Sequence, residues 1–255
     1  MLSRRRKLAY ALLVAVLSFP LGYILRYAAY ELIWTLRAKE LRANPTLQLV
    51  ADTINDSMID QTFARELTPH LAKPVTIGLP QDFAQDDQRN KWNKNRDAVL
   101  FTSQQHPKVW VLVRVHEGEP IEQYWKKQVG RKGWFVQWMF GTKDIWEITR
   151  QSLRWTPPER SLNAFRDFAY LQLKPMAIEM IGMKVNRTTK LATYSRPGQM
   201  NAFVATETVQ KSELARCAAE LANGTWVTLS VVDEDEQFSF SPQQFYAIVA
   251  SLQLT

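Results

Sequence analysis

The sequence predicts an α+β protein: an N-terminal transmembrane helix, then an antiparallel-sheet domain with packed helices and a helical insertion. Three observations carry this expectation. An uncharged run fills residues 8–25 directly behind Arg4, Arg5, Arg6 and Lys7. Apolar runs rich in β-branched residues recur near 75–80, 98–102 and 108–116, and again after 184. Between them, residues 120–180 carry helix signals. The predicted organisation is a cytoplasmic tail at 1–7, a transmembrane helix at 8–34, a helical stalk or linker at 35–72, and an α+β domain at 73–255 whose Trp-rich insertion spans about 120–180.

The uncharged run is about long enough to cross a hydrocarbon core at 1.5 Å per residue. Tyr23, Tyr27, Tyr30 and Trp34 suit an aromatic belt at the headgroups, and Arg26 can snorkel to the same level. No small-residue cleavage site ends the run, so an uncleaved anchor is expected rather than a signal peptide. The basic cluster at 4–7 favours a cytoplasmic N-terminus. The expected placement is thus a single-pass protein of a bacterial inner membrane with a periplasmic domain.

Asn44-Pro45 reads as an N-cap followed by Pro at N1. Leu47, Val50, Ile54 and Met58 follow at helical spacing, with Phe63 and Leu67 beyond, which predicts a helix ending near Pro69. Val75–Pro80 reads as a strand and 81–97 as a loop. Strands are expected at 98–102 and 108–116 with a turn at 104–107. Helices are expected from Pro120, Asp144 and Pro157, the last ended or kinked by Pro175. Strands return at 184–195, 202–210, 213–221 and 225–233, with Asn223-Gly224 as a hairpin turn. Ser241-Pro242 opens a closing helix, Ser241 at the N-cap.

The formal charge of +7 is localised. Residues 1–43 hold eight Lys and Arg against two Glu, a net of +6; the remaining residues net +1. A nucleic-acid-binding domain needs its own positive surplus, because its affinity comes largely from counterion release. No nucleic-acid partner is therefore expected. Cys217 is the only cysteine, which excludes an intrachain disulfide, and its apolar neighbours suit a buried structural thiol. Asp52, Asp56 and Asp60 recur every four residues and Asp233–Glu236 form an acidic run; both read as solvated faces rather than metal sites. His106 and His116 belong to no matched ligand set. No metal and no cofactor is expected.

Val75-Thr-Ile-Gly-Leu-Pro80, Val227-Thr-Leu-Ser-Val-Val-Asp233 and the terminal Phe245-Tyr-Ala-Ile-Val-Ala-Ser-Leu252 follow one another in an order that resembles the PsbP/DcrB-like α/β/α sandwich. The resemblance covers roughly residues 73–117 and 184–254. It implies a final helix packed on the sheet, and a binding or assembly module rather than a catalyst. It carries no functional residue with it.

Residues 125–155 hold Trp125, Trp134, Trp138, Trp146 and Trp155, with Lys126, Lys127, Arg131, Lys132, Lys143, Arg150 and Arg154 interleaved. Trp among basic residues suits a lipid headgroup layer, a protein–protein hot spot or a buried core loop. The docking candidates are Trp134, Phe135, Trp138, Phe140, Arg131 and Lys132. The leading functional expectation is a non-enzymatic accessory subunit or assembly factor of a membrane protein complex, with the lipid bilayer and that complex as partners. A lipid- or small-ligand-binding domain is the alternative, and a tethered hydrolase a further one. No Gly-x-Ser-x-Gly and no phosphate-binding loop is present. A large apolar pocket would favour the ligand-binding reading, and a deep cleft with converging carboxylates the hydrolase.

Overall fold

In a computed structural model, residues 4–59, 65–69, 71–91, 95–116, 133–161, 163–182, 184–207, 212–236 and 241–254 are described. The first element is helix α1 (Arg4–Ala43), followed by the single turn α2 (Pro45–Gln48). The N-terminal strands are β1 (Ala51–Thr53), β2 (Arg65–Leu67), β3 (Val75–Leu79), β4 (Phe83–Gln85), β5 (Ala98–Ser103) and β6 (Val109–His116). A short helix α3 (Asp87–Asn90) lies between β4 and β5. Helices α4 (Gly133–Phe140), α5 (Ile145–Arg154) and α6 (Ala164–Ile181) come next. The chain continues through β7 (Thr189–Arg196), β8 (Met200–Glu207), β9 (Glu213–Leu221) and β10 (Trp226–Asp233) to α7 (Pro242–Ser251) and β11 (Gln253–Leu254).

Local signals account for most boundaries. Strand β6 alternates Val109, Val111, Val113 and Val115 inward with Trp110, Leu112, Arg114 and His116 on the other face. The β9–β10 hairpin turns where Gly224 takes φ 76° and the Asn223 side chain accepts from Thr225 N at 2.9 Å. Helix α5 is capped by Asp144, which accepts from Trp146 N. Helix α7 opens with a capping box: Ser241 Oγ accepts from Gln244 N, and the Gln244 side chain accepts from Ser241 N.

The eight-stranded sheet runs in the order β1-β7-β8-β9-β10-β6-β5-β4. One face packs against α7 and β3 around Phe101, Val113, Val204, Cys217, Leu229, Phe245 and Ile248. Strand β3 belongs to a second sheet, β11-β3-β2, and all five of its residues are buried. Ser251 Oγ ties the end of α7 to β3 by accepting from Gly78 N at 2.6 Å. The other face of the large sheet carries α5 and α6 over β1, β7 and β8, with Trp146 stacked on Phe203 at 4.6 Å. The fold is therefore three-layered and α+β.

The sheet corrects the antiparallel expectation. It is mixed, because β1 pairs parallel to β7, Ala51 opposite Leu191. The long helix expected over 45–68 is a single turn. Asn44 does cap it, accepting from Thr46 N at 3.0 Å, but Leu49 is extended at ψ 129° and the chain enters β1. The apolar spacing at 47, 50 and 54 is spent differently: Leu47 and Ile54 are buried while Val50 is exposed. Helix α6 continues through Pro175 to Ile181. The expected loop at 81–97 contains β4 and α3.

The membrane expectations are overturned. Among the described residues, no helix is long and apolar enough to cross a membrane. The transmembrane helix at 8–34, the single-pass topology, the inner-membrane location and the periplasmic domain are all withdrawn with it. The physical reason lies in residues 20–43. Arg26, Glu31, Arg37, Lys39, Glu40 and Arg42 interrupt the apolar pattern there. The supposed aromatic belt is a packing seam instead. Tyr23, Tyr27 and Tyr30 lie 5.1, 5.6 and 5.0 Å from Phe165, and Trp34 lies 5.8 Å from Phe168 and 5.9 Å from Trp155.

Lys174 of α6 fixes where this seam begins. Its side chain is fully buried, and its Nζ donates to Leu47 O at 3.0 Å, to Trp155 O at 2.5 Å and to Leu49 O. Burial pushes the ammonium down to about 8, which leaves it protonated at neutral pH. The three carbonyls come from the ends of α2 and α5, where helical carbonyls lack partners. Lys174→Met keeps the length of the stem and strips all three donors. It is expected to cost about 2–4 kcal/mol, read as a lower urea midpoint at unchanged m-value.

Candidate docking surface

Helix α1 has two apolar faces. Tyr27, Tyr30, Trp34 and Ala38 recur every three to four residues and point at α6, where Phe165 and Phe168 receive the first three. Trp34 is 1% exposed and is the centre of this seam. Its indole N–H is buried without an acceptor, so the seam rests on ring packing rather than hydrogen bonding. The opposite face carries Leu21, Ile24, Leu25, Leu32, Ile33 and Leu36, exposed by 41–72%. Small residues Gly22, Ala28 and Ala29 lie among them and are also exposed.

The spacing of Leu21, Leu25, Ala28, Leu32 and Leu36 makes this a continuous stripe along about 22 Å of helix. Its apolar area is on the order of 500 Å², the size of the largest apolar patches on protein surfaces, which are often functional. Arg26, Arg37 and Glu31 flank it. The sequence reading missed this stripe because both faces together make the helix look apolar all round. The signal that separates them is aromatic composition: rings on the packed face, branched aliphatics on the bare one.

The structure divides the sequence-predicted docking residues. Arg131 and Lys132 lie outside the described residues, as do Trp125, Lys126 and Lys127. Trp134 and Phe135 belong to α4, and their side chains are not among those described. Trp138 is 56% exposed on α4. Phe140 is buried, packed edge-on against Tyr170 of α6 at 5.1 Å beside Ile148. Of the other tryptophans, Trp146 is buried and donates to Glu220 Oε2 at 2.5 Å, and Trp155 donates to Asp167 Oδ1 at 3.0 Å. Part of the Trp-rich segment thus serves the packing of α4, α5 and α6.

Two cavities bear on the alternative functions. One of about 370 Å³ is lined by Asp56, Glu66, Tyr194, Arg196, Ser251 and Gln253 among others. One of about 470 Å³ is lined by Asp144, Arg150, Ser195, Asn201 and Glu220 among others. Both have largely polar linings. Three of the lining carboxylates are engaged structurally: Glu66 accepts from Gln253, Asp144 caps α5 and Glu220 holds Trp146. Cys217 is fully buried in the sheet, and burial pushes its thiol far up, away from the reactive thiolate. Among the described residues, no group of three or more His, Cys, Asp or Glu is placed to hold a metal ion. No protein-family model matches the chain, and no curated protein matches it.

The two faces of α1 differ in what they contribute to stability. Trp34→Ala is expected to cost about 3–5 kcal/mol, because it empties the centre of the seam. Leu25→Ala on the bare face is expected to change stability by less than about 0.5 kcal/mol. Thermal unfolding of the two variants checks this: equal losses would mean that both faces are packed.

Proposed function

We propose that this chain is a non-enzymatic accessory or assembly factor of a membrane protein complex, which it engages through the bare face of α1. The single observation that carries the reading is the stripe Leu21, Leu25, Leu32 and Leu36 on a helix whose other face is already fastened to the domain. A helix held on one side and apolar on the other presents anchors at the spacing used in helix–helix recognition. Gly22, Ala28 and Ala29 allow a partner backbone to approach closely. The uncharged, aliphatic character of the stripe suits an apolar partner helix, of the kind that subunits of membrane complexes carry.

The full chain purified in mild detergent is expected to retain a stoichiometric protein partner. Leu25→Glu combined with Leu32→Glu should abolish retention, while Gln199→Glu in the β7–β8 turn should leave it intact. A photo-reactive residue at position 32 should crosslink to an apolar helix of that partner. A monomer carrying only lipid, a homodimer, or a partner that survives the Glu pair would overturn the proposal.

A further inference from the structure

The proposed function leaves unused the polar part of the large sheet's second face. Helices α5 and α6 cover that face over β1, β7 and β8. Arg216 on β9 stands at the border of this cover. Its Nη1 donates to Gly182 O, the C-cap of α6, at 2.7 Å and lies 3.4 Å from Glu213 Oε1. Beyond the border, β10 and β6 present a different chemistry. Val227, Leu229 and Val231 of β10 point into the core, so Thr228 and Ser230 point the other way. The same alternation places Arg114 and His116 of β6 on that outer face.

The register brings these side chains together. Thr228 lies opposite Arg114, and Ser230 lies opposite Leu112 on one side and Arg216 on the other. Arg114 and Arg216 therefore flank β10 diagonally from its two neighbouring strands, with their Cα atoms about 12 Å apart. The Arg216 guanidinium lies against Gly182 at the end of α6, and both arginine side chains have the length to reach toward the two hydroxyls between them. Arg114, Thr228 and His116 are partly exposed, and His116 Nε2 lies 3.0 Å from Thr228 Oγ1.

Two observations point to a missing ligand. The Nε atoms of Arg114 and Arg216 are both buried and without a hydrogen-bond partner. A buried guanidinium donor left unmatched is costly, and a site usually supplies what it lacks. Arg114 also makes no ion pair among the described residues. The environment of His116 agrees with this placement. Burial and then the Arg114 charge push it below its usual range; Asp97 opposes, and Arg216 pushes the same way. Both cations are therefore near enough to act on the same imidazole, Arg114 more strongly than Arg216.

We propose that Arg114, Arg216, Thr228 and Ser230 form a binding site for a phosphate group. A planar guanidinium fork binds phosphate or carboxylate in pairs of hydrogen bonds. The Arg114 fork, the Arg216 donors not used at Gly182 and the two hydroxyls offer more donors than one carboxylate can accept, and they match the three or four oxygens of a tetrahedral oxyanion. Free phosphate and a phosphomonoester of a small metabolite share this chemistry. The site is separate from the bare face of α1 and stands independently of the docking reading.

The test is titration calorimetry of the full chain at constant ionic strength, with inorganic phosphate and, in a second arm, glycerol 3-phosphate. Saturable 1:1 binding is expected at a Kd of about 1 mM or tighter. Tighter binding of the ester identifies a metabolite site, and tighter binding of phosphate a free-ion site. Arg114→Gln, which breaks no existing ion pair, should weaken binding by about tenfold or more. Thr228→Val should weaken it as well, and Lys190→Gln, on the exposed side of β7, should leave it unchanged. Circular dichroism of each variant verifies the fold, and Thr228→Val decides the matter if Arg114→Gln unfolds. The absence of saturable binding to both anions would overturn the proposal, as would an equal loss of affinity in Lys190→Gln.

Discussion

One buried ammonium determines how the N-terminal third of this chain meets the rest. Lys174 gathers carbonyls from Leu47, Leu49 and Trp155, the ends of two helical segments that would otherwise point unmet into the interior. Burying a cation is expensive, and three acceptors offset that cost only when all are in place. The junction therefore ties α2 and the end of α5 to α6 through one side chain. Because α2 follows α1 directly, the same junction sets the line along which α1 lies on α6. The aromatic seam, the bare aliphatic face and the entry of the chain into β1 all follow from it.

That dependence explains what α1 looks like in sequence. A helix that is apolar around its whole circumference reads as a membrane span, because nothing in a single sequence says that one side is covered by α6. The covering residues, Phe165 and Phe168, lie some 130 positions away from Tyr30 and Trp34. Charged residues at 26, 31, 37, 39, 40 and 42 are the local sign that the helix is not apolar throughout. The aromatics have the composition of an interfacial belt and of a ring-packed seam alike, and the choice between them rests on tertiary contacts.

The parts of the fold that were legible are those specified by neighbours in sequence. The hairpin at Asn223-Gly224, the Val-x-Val alternation of β6 and the Ser241-Pro242 cap all state their structure within a few residues. The parts that were not legible are specified at long range. Strand β1 has only three residues, and its pairing comes from β7; β11 has two, and its pairing comes from β3. The helical spacing at 47–58 is real as a pattern, but the parallel pairing with β7 and the capture of Leu49 O by Lys174 override it. The candidate phosphate site shows the same division. The alternation Val111-Leu-Val-Arg-Val-His116 told which residues share a face, but only the register across β10 shows that Arg114 and Arg216 flank the same two hydroxyls.

The two short strands have a consequence in time. Strand β3 is buried on every residue, yet one of its two neighbours, β11, lies about 180 positions further along the chain. Strand β1 likewise waits about 140 positions for β7. During synthesis the first half of the protein therefore emerges with the fully buried strand β3 incompletely paired and the Lys174 junction not yet available. High sequence separation between partners slows folding and prolongs the exposure of unpaired edges. The three-residue length of β1 and the five-residue length of β3 keep those waiting edges short, which limits how much of a neighbouring nascent chain they can capture.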